Sequence, residues 1–426
     1  MIRRSLDDWL GYISAQHPAT IALGLDRVRE VWERLRVMPA KSWAPAPVTI
    51  TVGGTNGKGS TCAILERILL ESGYRVGLYT SPHLLRYNER VRIQGEEVSD
   101  GVLVESFERV EAARQSTPLT YFEFGTLGAL DIFARSNLDV AILEVGLGGR
   151  LDAVNIIDAD VACVVSVDLD HQAYLGNDRE SIGFEKAGIY RGGRAAIFGD
   201  TNPPARLVAH AREIGADLQV LGRDFHPQAH ERQWDFVGRK GAKRALPIPA
   251  LRGRWQLKNA SVALAALDEI ADRCPVSLGE IKRGLTNVRL PGRLQALAGR
   301  PSVVLDVAHN PHAARALADG LGDMGFFERT FAVFAILGDK DIGGVIDAMR
   351  DRVDQWFISS VHGEARAAPA QRVAELLAER GLAGVTRSFA TVGAALEEAR
   401  REAGPNDRIV VFGSFHTVAE ALRPDR

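Results

Sequence analysis

Cysteine is scarce in this chain: three residues in 426, Cys62, Cys163 and Cys274. They have no metal-ligand spacing and an odd count makes no disulfide framework, so reduced, mostly buried thiols are expected. An excess of either charge sign is also missing. Fifty-two Lys and Arg stand against 54 Asp and Glu, a formal net charge of -2. A broad nucleic-acid surface needs surplus basic residues, so only a local basic site for phosphate remains open. No apolar stretch is long enough to cross a membrane. Met1-Ile2-Arg3-Arg4-Ser5-Leu6-Asp7-Asp8-Trp9 puts acidic residues where a signal peptide needs an apolar run. Repeats and low-complexity tracts are lacking too. These absences predict a cytoplasmic enzyme with neither nucleic acid nor membrane as partner. What is present, 46% hydrophobic and 25% charged residues, is ordinary globular composition, enough for two or three domains at about 100–200 residues each.

Short apolar runs alternate with amphipathic segments. Val48–Val52, Val76–Tyr79, Val140–Leu143, Val161–Val167, Ala195–Phe198, Val303–Val307, Phe331–Leu337, Trp356–Val361 and Ile409–Phe412 are predicted strands. Rich in Val and Ile, most without polar alternation, they suit strands covered on both faces. Helical periodicity occupies Thr61–Ser72, Phe122–Arg135, Ser261–Ala271 and Ala313–Leu321. This alternation predicts parallel α/β sheets. The polar stretch Arg223–Pro249 is expected to be a hairpin or excursion. Leu290-Pro291-Gly292-Arg293 punctuates the chain before a fresh strand, predicting domains at 1–292 and 293–426. Polar candidates also cluster just after strands, where open parallel sheets bind ligands.

The densest such cluster is Val48-Thr49-Ile50-Thr51-Val52-Gly53-Gly54-Thr55-Asn56-Gly57-Lys58-Gly59-Ser60-Thr61. A strand enters, glycines follow, then a lysine, hydroxyls and a helix. Glycines let backbone N–H groups turn toward phosphate oxygens, and a helix N-terminus adds partial positive charge. Lys58 can reach the β- and γ-phosphates, and Ser60 or Thr61 can bind Mg²⁺. The common phosphate-loop pattern is altered here, with Val52 at its first position and Gly59 between Lys58 and Ser60. The plain alternative is a glycine-rich turn.

Carboxylates follow two further strands. Glu144 precedes Val145-Gly146-Leu147-Gly148-Gly149-Arg150-Leu151-Asp152; a strand ending in Glu suggests a salt bridge to Arg150 or a metal. Asp168-Leu169-Asp170-His171 can supply Mg²⁺ ligands, a general base or a solvated turn, and the turn is preferred from these residues alone. Lys186 has apolar neighbours, and the plain reading is a snorkelling side chain.

Together these segments resemble the dihydrofolate/folylpolyglutamate synthases of the Mur ligase superfamily. Gly54–Ser60 looks like their phosphate loop. Thr80-Ser81-Pro82-His83-Leu84, Asn88-Glu89-Arg90, Tyr121-Phe122-Glu123-Phe124, Glu144–Asp152, Glu185-Lys186-Ala187-Gly188-Ile189 and Asp306-Val307-Ala308-His309-Asn310-Pro311 are also similar. The match runs in order from Leu23-Gly24-Leu25-Asp26-Arg27 to Gly413-Ser414-Phe415-His416-Thr417. There are departures. His171-Gln172-Ala173-Tyr174-Leu175-Gly176 stands where His-Thr-Asp-Trp-Leu-Gly is common, and Val154 stands where Thr is common.

The resemblance implies a phosphate-loop, parallel-sheet N-terminal domain and a smaller Rossmann-like α/β C-terminal domain, 293–426, of the glutamate ligase type. It implies ATP-dependent joining of L-glutamate to dihydropteroate and to reduced folates through an acyl phosphate, with Mg²⁺, by a monomer. By the same resemblance, Thr55, Asn56, Gly57, Lys58, Gly59 and Ser60 hold ATP phosphates, and Asn259 contacts adenine. Arg293 and Asp306 hold phosphate and nucleoside, and Ser81, Glu144 and His171 bind Mg²⁺. Lys186 matches a lysine carbamylated by CO2. His309 and Asn310 lie where glutamate enters, with His309 catalytic beside Lys58 and Lys186. Asp26, Arg27, Thr120, Phe122 and Asp152 match the pterin segments of bifunctional members. Without the resemblance, Phe122 reads as core, Asp152 as a partner of Arg150, His309 as a turn cap and His416 as a loop histidine. Mur-type ligation of a UDP-linked acid, a nucleotide-hydrolysing switch and a non-catalytic relative are the competing functions.

Overall fold

The computed structural model describes residues 4–17, 21–40 and 44–423; Met1–Arg3 of the N-terminal segment read above lie outside them. Among the described residues, eight strands join in one sheet: β1 (Val48–Gly53), β2 (Val76–Tyr79), β3 (Val91–Ile93), β4 (Glu96–Glu97), β5 (Val140–Glu144), β6 (Val161–Val164), β7 (Ala195–Phe198) and β8 (Asp217–Val220). Their order is β4-β3-β2-β5-β1-β6-β7-β8. The six from β2 to β8 in this order run parallel, and β3 and β4 add an antiparallel edge. Chain order reverses around β1, which pairs with β5 on one side and β6 on the other. That is the topological position at which such sheets bind ligands.

Both faces of this sheet are covered, which explains the unbroken Val and Ile runs. One cluster packs Trp9, Val28, Trp32, Phe107 and Phe124 against Tyr79, Ala141 and Leu143. Farther along the same face, Ile182, Ala187 and Leu207 pack against Ala162, Val164 and Phe198, while on the opposite face Ile50, Val52, Ile142, Cys163 and Ile197 are fully buried. The Arg223–Pro249 excursion is a separate antiparallel sheet of β9 (His226–Ala229), β10 (Gln233–Gly238) and β11 (Gly241–Pro247), with Trp234 and Phe236 buried. The third sheet contains β12 (Gln295–Leu297), β13 (Ser302–Asp306), β14 (Thr330–Phe334), β15 (Gln355–Ile358), β16 (Thr386–Ser388) and β17 (Arg408–Phe412). Its order is β12-β13-β17-β14-β15-β16, parallel except for β12. Its core packs Leu317, Leu321, Ile346 and Val373 around Phe334, Trp356 and Phe412.

Contacts divide the chain into two units. The first runs to Ala250 and takes in Leu257–Val288; the second joins Leu251–Gln256 to the residues from Arg289 onward. Some strands end earlier than their apolar runs predict. β6 stops at Val164; beyond it, Val165 N donates to Gly53 O (2.9 Å) and Ser166 O accepts from Thr55 N (2.9 Å), which ties the extension to the start of the glycine loop. The chain leaves the ladder there to line the glycine loop. No helix among the described residues is long and apolar enough to cross a membrane.

Candidate active site

Between β1 and the helix Lys58–Glu71, Gly57 adopts φ +86. A Cβ there would be strained and would stand 2.6 Å from Asn259 Oδ1. Glycine therefore gives the loop its turn and lets Asn259, on the helix Trp255–Glu269, lie against it. The loop is latched from β6's extension: Asn56 N donates to Ser166 Oγ at 3.0 Å, and Thr55 Oγ1 donates to Asp168 O at 3.1 Å while accepting from Asp168 N. Lys58 Nζ donates to Gly54 O (3.0 Å) and Thr55 O (3.4 Å), folding over its own loop. Ser60 and Thr61 are buried in the first turn of the helix. The preformed loop makes one expected result specific. Gly57→Ala should weaken ATP binding about tenfold or more, since left-handed strain alone is about 1–3 kcal/mol. Calorimetric titration with a non-hydrolysable ATP analogue checks it, and unchanged affinity in a folded variant would count against a loop that cradles phosphate.

The neighbouring strand ends carry the charged groups. Glu144 closes β5 opposite Val52, is buried, and accepts from Ser81 N at 3.2 Å. The ion pair of Arg150 is with Glu185 (2.8 Å), so neither Glu144 nor Asp152 takes it, contrary to the salt-bridge readings. Asp168 Oδ1 and Asp170 Oδ1 accept the next backbone amides at 2.8 Å, which makes local turns, but the Asp170 side chain is only 7% exposed and so is not the solvated turn expected. His171 follows at φ 52. Lys186, on the helix Arg179–Ala187, is only 4% exposed, which overturns the snorkelling reading. Burial and then the charge of Lys58 push its amine down to about 7, against the pull of Asp170 and Asp152.

Next to these groups lies a half-buried aromatic corner. Thr120 caps the helix Tyr121–Arg135 in a reciprocal pair with Glu123, and Arg27 Nη2 donates to Glu123 Oε1 at 2.8 Å. Thr120 and Arg27 thus fix the start of this helix, while Asp26 is exposed in the first turn of its own. Phe122 is not core: it is half-buried, near Tyr79, with its Cζ 2.5 Å from where a Cβ on Gly146 would stand. Asp152 is buried and accepts from Leu147 N (2.8 Å) and Val154 N (3.0 Å). Burial pushes its carboxyl up to about 6, opposed by those amides and by Lys58.

In the second unit the candidates also follow strands. Asp306 ends β13, accepting from Leu294 N (2.7 Å) and Ala308 N (2.8 Å), and burial raises its pKa against the pull of Arg293. Arg293 lies over the Phe415 ring. His309 Nδ1 donates to Val307 O at 2.8 Å, which places the ring proton on Nδ1. The helix cap is Asn310, not His309: its Oδ1 accepts from Ala313 N at 2.9 Å, ahead of Pro311. His416 faces Glu364 at 3.3 Å. The three cysteines are free and buried, as expected.

Residues 292–415 match the family model "Mur ligase, glutamate ligase domain". Over 417 residues the chain is 45% identical to the dihydrofolate synthase/folylpolyglutamate synthase of Escherichia coli, covering 98% of this chain and 94% of that protein. The chain belongs to the dihydrofolate synthase/folylpolyglutamate synthase family. The Escherichia coli structure with DHPP and ADP superposes with a TM-score of 0.91 at 45% identity, covering 98% of this chain and 96% of that one. A bifunctional family structure with Mn, AMPPNP and L-glutamate bound gives 0.89 at 45% identity, over 98% and 97% of the two chains.

Arg90 belongs with these groups, although the sequence of this synthase-family chain assigns it no role. Arg90 is buried, lies over the rings of Tyr87 and Tyr121, and donates from Nε to His83 Nδ1 at 2.8 Å. It forms no ion pair among the described residues, so its charge is available to an anion at the Ser81 edge. Its signal was present in Asn88-Glu89-Arg90, but the rings that enclose it come from separate segments. Ser166, the latch of the glycine loop, was missed because nothing in its neighbourhood marks a serine as a loop partner.

Proposed function

We propose that this chain joins L-glutamate to dihydropteroate, forming dihydrofolate, and adds further glutamates to reduced folates, using ATP. The observation that carries this reading is the preformed glycine loop, with Lys58, at the same sheet edge as Glu144 and the Phe122–Asp152 corner. Residues 1–292 are assigned to ATP binding and 293–426 to glutamate ligation; the family match to 292–415 supports the latter. The same reading places the enzyme in the cytoplasm as a monomer.

The acceptor carboxylate attacks the γ-phosphorus of ATP, the bond to the β-phosphate oxygen breaks, and ADP leaves. Loop amides and Lys58 stabilise charge on the transferred phosphoryl, with Thr55, Asn56, Gly57, Gly59 and Ser60 around it. The glutamate amine then attacks the acyl carbon, an amide forms and phosphate departs. Asn259, held against Gly57, is assigned to adenine, and Arg293 and Asp306 to phosphate and nucleoside. His309 and Asn310 are assigned to the glutamate, with the lone pair of His309 on Nε2. Ser81, Glu144 and His171 are the residues that would hold Mg²⁺. The hydrogen bond from Ser81 N to Glu144 Oε2 holds the Ser81 backbone against a buried carboxylate, whose oxygens are hard donors of the kind Mg²⁺ takes. Mg²⁺ would supply charge neutralisation at the phosphates. No three His, Cys, Asp or Glu side chains among the described residues form a metal cluster, so this set relies on the serine oxygen. The amine of Lys186, neutral in good part near pH 7, can take up CO2 and become an anionic oxygen donor. Arg90 is assigned to an anionic group of the substrate.

Phe122 offers a face to the pterin ring, and the Asp152 carboxylate has further lone pairs for its amino and ring N–H groups. Arg27 and Thr120 set the position of this corner through Glu123, and the exposed Asp26 beside Arg27 is assigned to the same pterin segment. Mass spectrometry of products from dihydropteroate, and separately from a tetrahydrofolate monoglutamate, tests the two activities. Product from only one acceptor would reduce the reading to a monofunctional synthase. Asp152→Ala should hurt the dihydropteroate reaction more, and an equal loss on both acceptors would remove Asp152 from a selective pterin site. Since its carboxyl titrates near 6, the anion prevails above that pH. The dihydropteroate KM should therefore rise as pH falls through about 6, and Asp152→Asn should flatten that rise.

A further inference from the structure

We propose that the second unit holds a separate binding site for a phosphate-sized oxyanion, in a cavity of about 300 Å³ lined by Arg408 and Arg352 at the N-terminal edge of its parallel sheet. Arg408 opens β17 and is 5% exposed. Its Nη1 donates to Leu321 O at 2.6 Å and its Nη2 to Thr330 Oγ1 at 3.0 Å. Its plane lies over the Phe327 ring, 4.6 Å from the centroid. Nε is buried without a partner. The charges that act on it are Arg352 and Asp354, and neither forms an ion pair with it. Burial, then Arg352, push its pKa down to about 10, which still leaves a full positive charge at neutral pH. A buried guanidinium without a counter-charge among the described residues is costly, and here it borders an open cavity.

The cavity wall adds to that charge. Arg352 Nη2 lies 3.1 Å from where a Cβ on Gly322 would stand, so a bare glycine makes room for it. Arg350 also lines the cavity, as do Asp351 and Asp354. Three guanidinium groups against two carboxylates leave a positive lining, and Asp354 Oδ2 already accepts from Thr330 N at 2.7 Å. Several guanidinium groups lining one small cavity suit a tetrahedral oxyanion. Phe326, 89% exposed, also belongs to the lining. This is not the edge that carries Asp306 and Ser414. Arg408 and Phe412 are the two ends of β17, roughly 13 Å apart at about 3.3 Å per residue. The shared chemistry is a phosphate group, either free phosphate or the phosphate of a nucleotide.

Crystals of the full chain soaked in tungstate, a heavy tetrahedral oxyanion, locate the site directly. An anomalous peak within hydrogen-bonding distance of the Arg408 or Arg352 guanidinium is expected, with the glycine loop at Lys58 as internal control. A peak at the loop with none in the cavity would overturn the proposal. Calorimetry with inorganic phosphate and, separately, ADP is then run on Lys58→Ala, which weakens the loop site. Arg352→Gln in that background should weaken phosphate binding about tenfold, the range expected for one charge-assisted contact. Phosphate binding that this change leaves untouched would also overturn it. If ADP binding depends on Arg352 as well, the source is a nucleotide; if phosphate alone does, it is free phosphate. Arg352 is exposed, so its loss should spare the fold, and in the unaltered background Arg352→Gln should keep ligase turnover within about twofold without added phosphate. Arg408→Met provides the second variant.

Discussion

Exchanging Lys58 for alanine is expected to lower kcat for glutamate addition by about a hundred- to a thousandfold, the usual loss when a preorganised charge contact to a transition state is removed. The size follows from position. Lys58 is the first residue of its helix, directly after the left-handed Gly57. Its ammonium rests on Gly54 O and Thr55 O, neutral carbonyls that are weak competitors for a phosphate. An incoming anion can therefore draw the side chain off its own loop at little cost. Losing those two contacts also loosens the loop, so far-UV circular dichroism and a melting curve belong beside the kinetics. A loss mainly in kcat marks an interaction made in the transition state, whereas a loss only in the KM for ATP would mark ground-state binding. Lys58→Arg should recover little, because a planar fork cannot replace a compact ammonium in a closed loop. Near-normal turnover in a folded Lys58→Ala protein would remove Lys58 from phosphoryl transfer.

The second large effect is expected at Lys186. Lys186→Ala should reduce turnover by at least about a hundredfold, comparable to losing one charged contact in a water-poor site. Acetate or formate should restore part of it by supplying the carboxylate oxygens that a carbamate would provide. The pH dependence has a definite sign. Only the neutral amine attacks CO2, and with the amine titrating near 7 its neutral fraction grows as pH rises through that value. At constant dissolved CO2, carbamate occupancy followed by carbon-13 NMR should rise across the same window. Protein depleted of CO2 should lose activity and regain it on bicarbonate addition. A folded Lys186→Ala enzyme that acetate does not rescue, together with no carbamate signal at pH 8, would leave Lys186 as a buried amine with no part in the reaction.

Much of the fold was legible because its causes are local. A strand covered on both faces needs an unbroken apolar run, and β1, β5, β14 and β17 are buried along their whole length. The glycine loop was legible because a tight turn between strand and helix is built from consecutive residues. The edge strands β3, β4, β12 and β16 were not, since they are two or three residues long and at most partly buried along much of their length, with too little pattern to separate from a loop.

The sequence by itself determined two largely parallel α/β sheets, a glycine-rich loop between β1 and the following helix, and polar residues at strand ends, because periodicity and turn chemistry act over a few neighbours. Only the tertiary structure decided which charges meet. Arg150 had Glu144, Asp152 and Glu185 within plausible reach, and packing gave it Glu185. Folding put Lys186 out of water within the field of Lys58, placed Asn259 against Gly57 from about two hundred residues away, and enclosed Arg408 without a carboxylate partner among the described residues. The physical reason is that a charge's partner and its solvation depend on everything that closes around it, and no short stretch of chain specifies that.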